Sequence, residues 1–153
     1  MRVAENGLSA EAQTPDDLKI DLCLQRRITD GDEISAIANA VVSMFQDINV
    51  RLTPIIGLKG VAALHRRGLL LTINKNTALA QPYLGMVVAL DLSHFRSLLL
   101  AQAPIEATRF GQLLLKTTYG LLVTLIGSAL CERLLYTVWE HPLSAAPAQE
   151  PQL

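Results

Sequence analysis

The longest stretch without a charge does most to limit what this chain can become. Fifteen residues, Thr117 to Cys131, separate Lys116 from Glu132. A membrane span needs about 20 predominantly apolar residues. This run is shorter and contains Thr117, Thr118, Thr124 and Ser128. It therefore reads as a helix buried on most sides at the centre of a bundle, inside a proline-free helical pattern from Ile105 to about Glu140.

Small side chains recur along this helix at three- and four-residue steps: Thr117, Gly120, Thr124, Gly127 and Cys131. Such a stripe permits close helix–helix approach. Thr117, Gly120, Thr124 and Gly127 are thus the candidate interface, within the chain or between two copies. Leu114, Leu121 and Leu125 on one side, and Leu115, Leu122 and Ile126 on the other, are expected to fill the core. Gly127 is a natural place for a kink, or for a break before a last helix from Ser128 to Trp139.

Half of the residues are hydrophobic but only 5% are aromatic, so Leu, Ala, Ile and Val carry the apolar content. Packed helices have this composition, and the expected class is all-α, a compact bundle of about four to six helices whose long C-terminal helix is nearly fully buried. The expected domain spans residues 14–141, between a flexible N-terminus (1–13) and a disordered tail (142–153) too poor in apolar residues to offset chain entropy.

Within that domain Thr14-Pro15-Asp16-Asp17 looks like a helix start, while Leu18, Ile20, Leu22 and Leu24 alternate like a strand; a short helix is the preferred reading. Asp30, with Glu33 three residues on, resembles a capping box. Ile34, Ala38, Val41, Phe45, Ile48 and Leu52 then form a heptad seam on a helix of about residues 31–52, to be laid against a partner helix. Thr53-Pro54 suggests a restart, with a second helix to about Leu71 whose stripe is Gly57, Val61, Leu64, Gly68 and Leu71. Residues 74–90 read as a connector with a helical turn. Asp91 or Ser93 caps another helix through about Gln102, which Pro104 ends.

A shift of seventy residues superposes Leu52 on Leu122, Ile56 on Ile126, Gly57 on Gly127 and Leu64 on Leu134, with Ile55 opposite the similar Leu125. A duplicated helical hairpin would produce this echo, as would two helices of one bundle that reuse one packing solution. The segments Thr53-Pro-Ile-Ile-Gly-Leu-Lys-Gly-Val-Ala-Ala-Leu64 and Thr124-Leu-Ile-Gly-Ser-Ala-Leu-Cys-Glu-Arg-Leu-Leu135 resemble those of small bacterial helical proteins with no established activity. The resemblance covers about a third of the chain and implies a bacterial, helical, cytoplasmic protein.

Thirteen basic and fourteen acidic residues give a formal charge of −1, which offers no global reason to expect nucleic acid or an anionic membrane as a partner. The two cysteines, Cys23 and Cys131, stand in no metal-ligand grouping and read as reduced thiols. Residues 1–12 carry Glu5 and Glu11 and lack the apolar region of a signal peptide, so a cytoplasmic location is expected. Phosphate-loop, dinucleotide, zinc-protease and nucleophile-elbow motifs are missing.

The histidines titrate nearest neutrality. His65 lies beside Arg66 and Arg67; a phosphoacceptor histidine needs an exposed imidazole with cations nearby, and the cations are present. His94 and His141 read as boundary residues, and no histidine pair has metal-ligand spacing. Glu106, Glu132 and Glu140 are isolated. Lys59, Arg66 and Arg67 read as a solvated face. The expected function is a non-catalytic regulatory or adaptor module, possessing no cofactor or metal, that binds another protein and forms a homodimer in a signalling role. The alternatives are a phosphotransfer or small-ligand sensor using His65, Arg66 and Arg67, and a membrane-associated protein using Thr117–Cys131.

Overall fold

The computed structural model describes residues 15–28, 33–86 and 91–140. Among them the chain forms α1 (Pro15–Arg27), α2 (Glu33–Lys75), α3 (Thr77–Ala80), a 3-10 segment (Gln81–Met86), α4 (Leu92–Leu100), α5 (Pro104–Ile126) and α6 (Ser128–Glu140), with no strand. The class is all-α. The expected loose ends at 1–13 and 142–153 and the Asp30 cap lie outside the described residues.

In α1 the apparent alternation resolves into two helical faces. Ile20, Cys23, Leu24 and Arg27 turn inward, while Leu18 and Leu22 face solvent. The heptad seam is consumed inside the chain: Ala38, Val41, Phe45, Ile48 and Leu52 are buried and Ile34 is partly covered. α4 begins as expected, with Asp91 Oδ1 accepting from the N–H groups of Ser93 and His94.

The expected restart at Thr53-Pro54 is displaced. The helix continues through Pro54 and breaks at Gly57 (φ 79°, ψ 167°). Thr53 does not cap a new helix; its hydroxyl donates to the Asn49 carbonyl one turn back, at 2.7 Å. Pro54 deletes a backbone bond to Val50, and both residues are exposed, where the loss is cheapest. Gly57 holds a backbone conformation essentially restricted to glycine.

That break folds α2 into a hairpin of two arms. His65 Nε2 lies 2.7 Å from Asn49 Oδ1, and the Phe45 and His65 rings are 5.4 Å apart. In a straight helix, residues 20 positions apart would be separated by about 30 Å. Gly127 (φ 91°, ψ 152°) does the same between α5 and α6. Its N–H closes α5 on the Val123 carbonyl, and its carbonyl opens α6 by accepting from Cys131. Across this turn the Tyr119 and Trp139 rings come within 5.9 Å.

The seventy-residue echo is therefore a repeat of structure. Gly57 and Gly127 share a backbone conformation, Leu52 and Leu122 are both buried, Ile56 and Ile126 are both partly buried, and Ile55 and Leu125 are both exposed.

The two hairpins pack closely where glycine permits it. A Cβ on Gly111 of α5 would lie 2.7 Å from Val41 on the first arm, and one on Gly68 of the second arm 2.5 Å from the Thr118 hydroxyl. Gly60 then lies beside Leu125, so the second arm runs antiparallel to α5, and both glycine turns sit at one end of the bundle. Near the other end Tyr83 stacks on Phe110 at 3.7 Å, with Phe95 edge-on to both and to Phe45.

α1 locks the bundle from outside. The Arg27 guanidinium pairs with Asp47 on the first arm at 2.8 Å, donates to Ser43 Oγ at 2.8 Å, and donates to the Val138 carbonyl of α6 at 3.1 Å. Arg26 donates to the Trp139 carbonyl, so the end of α6 is capped by side chains from α1. Lys116 of α5 pairs with Asp21 at 3.0 Å.

Candidate functional site

The charge-free run that opened the sequence is covered over only part of its length. Thr117, Thr118, Tyr119 and Leu122 are buried, but Gly120, Thr124, Leu125 and residues 127–130 are exposed. α1 meets α5 at Lys116 and the second arm lies along another flank, and between them Gly120, Thr124 and Leu125 stay open.

The uncovered part forms one wall of a groove. Gly60, Ala63, Leu64 and Arg67 line it from the second arm, and Leu121, Thr124 and Leu125 line it from α5, enclosing a volume of about 540 Å³. Gly60, Ala63 and Arg67 follow one another at helical steps and are small up to the last, which leaves the channel shallow and continuous along the helix. Leu125 is 60% exposed, and Leu58, just past the Gly57 turn, is 76% exposed. Both leucines thus stand in water beside the two glycine turns.

The groove lies in a one-signed field. From Leu58 to Lys75 the second arm carries Lys59, Arg66, Arg67 and Lys75 without an acid, and from Ala107 to Ile126 α5 carries Arg109 and Lys116 without an acid. In a chain of net charge −1 this is a marked segregation. Arg66 and Arg67 are exposed, and Arg67 stands at the end of the apolar channel.

His65 does not join them. Its side of the helix faces the first arm, where the residue is 5% exposed and its Nε2 is engaged by Asn49. With Asn49 Oδ1 accepting from Nε2–H, Nδ1 is left buried with no partner. A proton there would add a charge and an N–H with no acceptor, and burial lowers the His65 pKa to about 4. The exposed imidazole expected of a phosphoacceptor is absent at this position, because His65 shares its helix face with Val61, Leu64 and Leu69 rather than with the arginines.

Of the candidate interface stripe, Thr117 is buried and its hydroxyl accepts from Lys75 at 3.1 Å. Thr124 lines the groove, and Gly120 is open, with nothing within 4 Å of where its Cβ would stand. The stripe therefore does not make the close intrachain contact it predicts; Gly111 and Gly68 do. Cys131 and Cys23 are buried thiols. Burial raises both, Cys131 to about 11, which keeps them protonated and unreactive near neutral pH.

Sequence reasoning missed Gly60, Ala63, Leu121 and Leu125 as groove-lining residues, since leucine at helical spacing reads as core. The absence of acids from residues 58–75 and 107–126 was the available signal. Among the described residues no His, Cys, Asp and Glu side chains cluster as a metal site, and no helix is long and apolar enough to cross a membrane. No protein-family model, curated protein or solved structure matches the chain.

Proposed function

We propose that this chain is a non-catalytic helical interaction module, an adaptor or regulator that receives an amphipathic helix in the groove between the second arm of α2 and α5. The observation that carries this reading is the open apolar channel with an arginine at its end, set between two helical segments, residues 58–75 and 107–126, that hold no acid. A helix laid in a groove anchors through residues one and two turns apart, which matches wall residues spaced like Gly60, Ala63 and Arg67. The nucleophilic side chains point the same way: both thiols are buried with raised pKa values, and His65 is buried and neutral.

Ala63→Glu tests it. Ala63 is exposed, so the variant should fold with an unchanged circular dichroism spectrum. It should lose proteins that the wild-type full-length chain retains in a crosslinked pull-down from its native cells. Identical sets of retained proteins for the two chains would overturn the reading.

A further inference from the structure

Between Asp47 and Asp91 the sequence has no acid, while Arg51, Lys59, Arg66, Arg67 and Lys75 are all basic. A net charge of −1 conceals this local excess. The second arm carries it outward: its exposed residues from Leu58 to Arg67 are Leu58, Lys59, Ala62, Ala63, Arg66 and Arg67, every one apolar or cationic. Among the described residues no ion pair or hydrogen bond engages the side chains of Lys59, Arg66 or Arg67.

The glycine-turn end of the same face is apolar. Ile55 and Leu58 flank the Gly57 turn at 50% and 76% exposed, and Leu125, beside the Gly127 turn, is 60% exposed. Leu58 is the most exposed of the large apolar side chains described. No atom stands within 4 Å of a Cβ built at either glycine, so nothing roofs the two turns. Burial raises the Cys131 thiol and the carboxylates of Asp16 and Glu132 raise it further, which puts the acids nearest the turns on the α1–α6 side rather than on the second arm.

Like charges exclude a second copy of this face as its partner. A folded protein would have to be shaped to a projecting tip that offers no aromatic anchor. A bilayer needs no such fit. It deforms around isolated leucines, and its headgroups meet cations whose apolar stems lie along the same surface. An anionic leaflet adds attraction to each of those cations. Among the described residues no helix is long and apolar enough to cross a membrane, so the contact is with one leaflet.

We propose that the glycine-turn end and the outer face of the second arm dock on the surface of an anionic lipid bilayer. Ile55, Leu58 and Leu125 enter the acyl boundary, and Lys59, Arg66 and Arg67 meet the lipid phosphates. Leu58, Lys59, Ala62 and Arg66 lie outside the lining of the groove, so this goes beyond helix docking and is tested apart from it.

Flotation of the full chain with mixed phosphatidylglycerol–phosphatidylcholine vesicles, and with phosphatidylcholine vesicles alone, reads the result. The chain should float with the anionic vesicles only, with an apparent dissociation constant that rises by about tenfold or more between low and high salt. Leu58→Glu with Lys59→Glu should weaken flotation by about tenfold or more at an unchanged circular dichroism spectrum, since both side chains are exposed. Orientation is read separately. A solvatochromic dye on Leu58→Cys should shift to the blue on anionic vesicles, while the same dye on Ile105→Cys, 69% exposed at the far end of α5 from Gly127, should not. Cys23 and Cys131 are buried and stay unlabelled.

A wild-type chain that does not float with anionic vesicles, equal flotation with neutral ones, flotation indifferent to Leu58→Glu/Lys59→Glu, or a dye that shifts at Ile105→Cys and not at Leu58→Cys would each overturn the proposal. The interaction-module reading would survive any of these results if Ala63→Glu still released retained proteins. That reading would fall alone if vesicles bound as described while wild-type and Ala63→Glu retained identical sets of proteins.

Discussion

At the scale of single residues His65 shows how a side chain that titrates near neutrality is taken out of use. Its Nε2 is held by Asn49, its ring lies edge-on to Phe45, and its Nδ1 meets no partner. With a folded pKa of about 4 against 6.5 in the unfolded chain, the unfolded state binds the extra proton between those values. Stability from this group is therefore complete above pH 6.5 and declines as the pH falls toward 4. The expected loss is roughly 2 kcal/mol by pH 5. Urea unfolding at pH 7.5 and pH 5 should show that loss in the wild-type chain and little of it in His65→Gln; equal slopes in the two would refute it.

Among the elements, the two glycine turns matter most, because they convert two long helical segments into hairpins. Gly57 and Gly127 have positive φ with ψ near the extended range, and no neighbouring atom lies within 4 Å of a Cβ at either. Glycine is thus required by backbone conformation and not by space. Gly57→Ala and Gly127→Ala should each cost about 1–3 kcal/mol. Gly120→Ala, also in open space but in ordinary helical conformation, should stabilise the chain by about 0.5–1 kcal/mol. Denaturation midpoints of the three variants check the contrast.

Across the whole molecule, α1 ties the first arm of α2 to α6, which lies more than a hundred residues further along the sequence than α1. Arg27 links Asp47 in α2 to the Val138 carbonyl in α6, with the ion pair nearly closed to solvent. Removing one member strands the other in a low-dielectric site. Arg27→Met should cost about 3–5 kcal/mol, and Arg27→Met with Asp47→Leu should recover most of that. Unfolding followed by circular dichroism would show it. A single variant as stable as the wild type would mean that α1 contributes little to holding the two hairpins together.

Local signals in the sequence determined the helical class, the Asp91 cap, the heptad seam of the first arm, and the break at Gly127. Each depends on contacts within a turn or two, which residue spacing records directly. Thr53-Pro54 misled because a proline in the last turn of a helix looks, locally, like one in the first turn of the next. What only the tertiary structure decided is which apolar residues are covered. Leu122 and Leu125 read alike in the charge-free run, yet one is buried and the other stands open beside the groove. His65 is buried and Arg67 exposed within three residues of each other. Burial depends on where α1, Gly68 and Gly111 bring distant helices together, and no window of neighbouring residues contains that information.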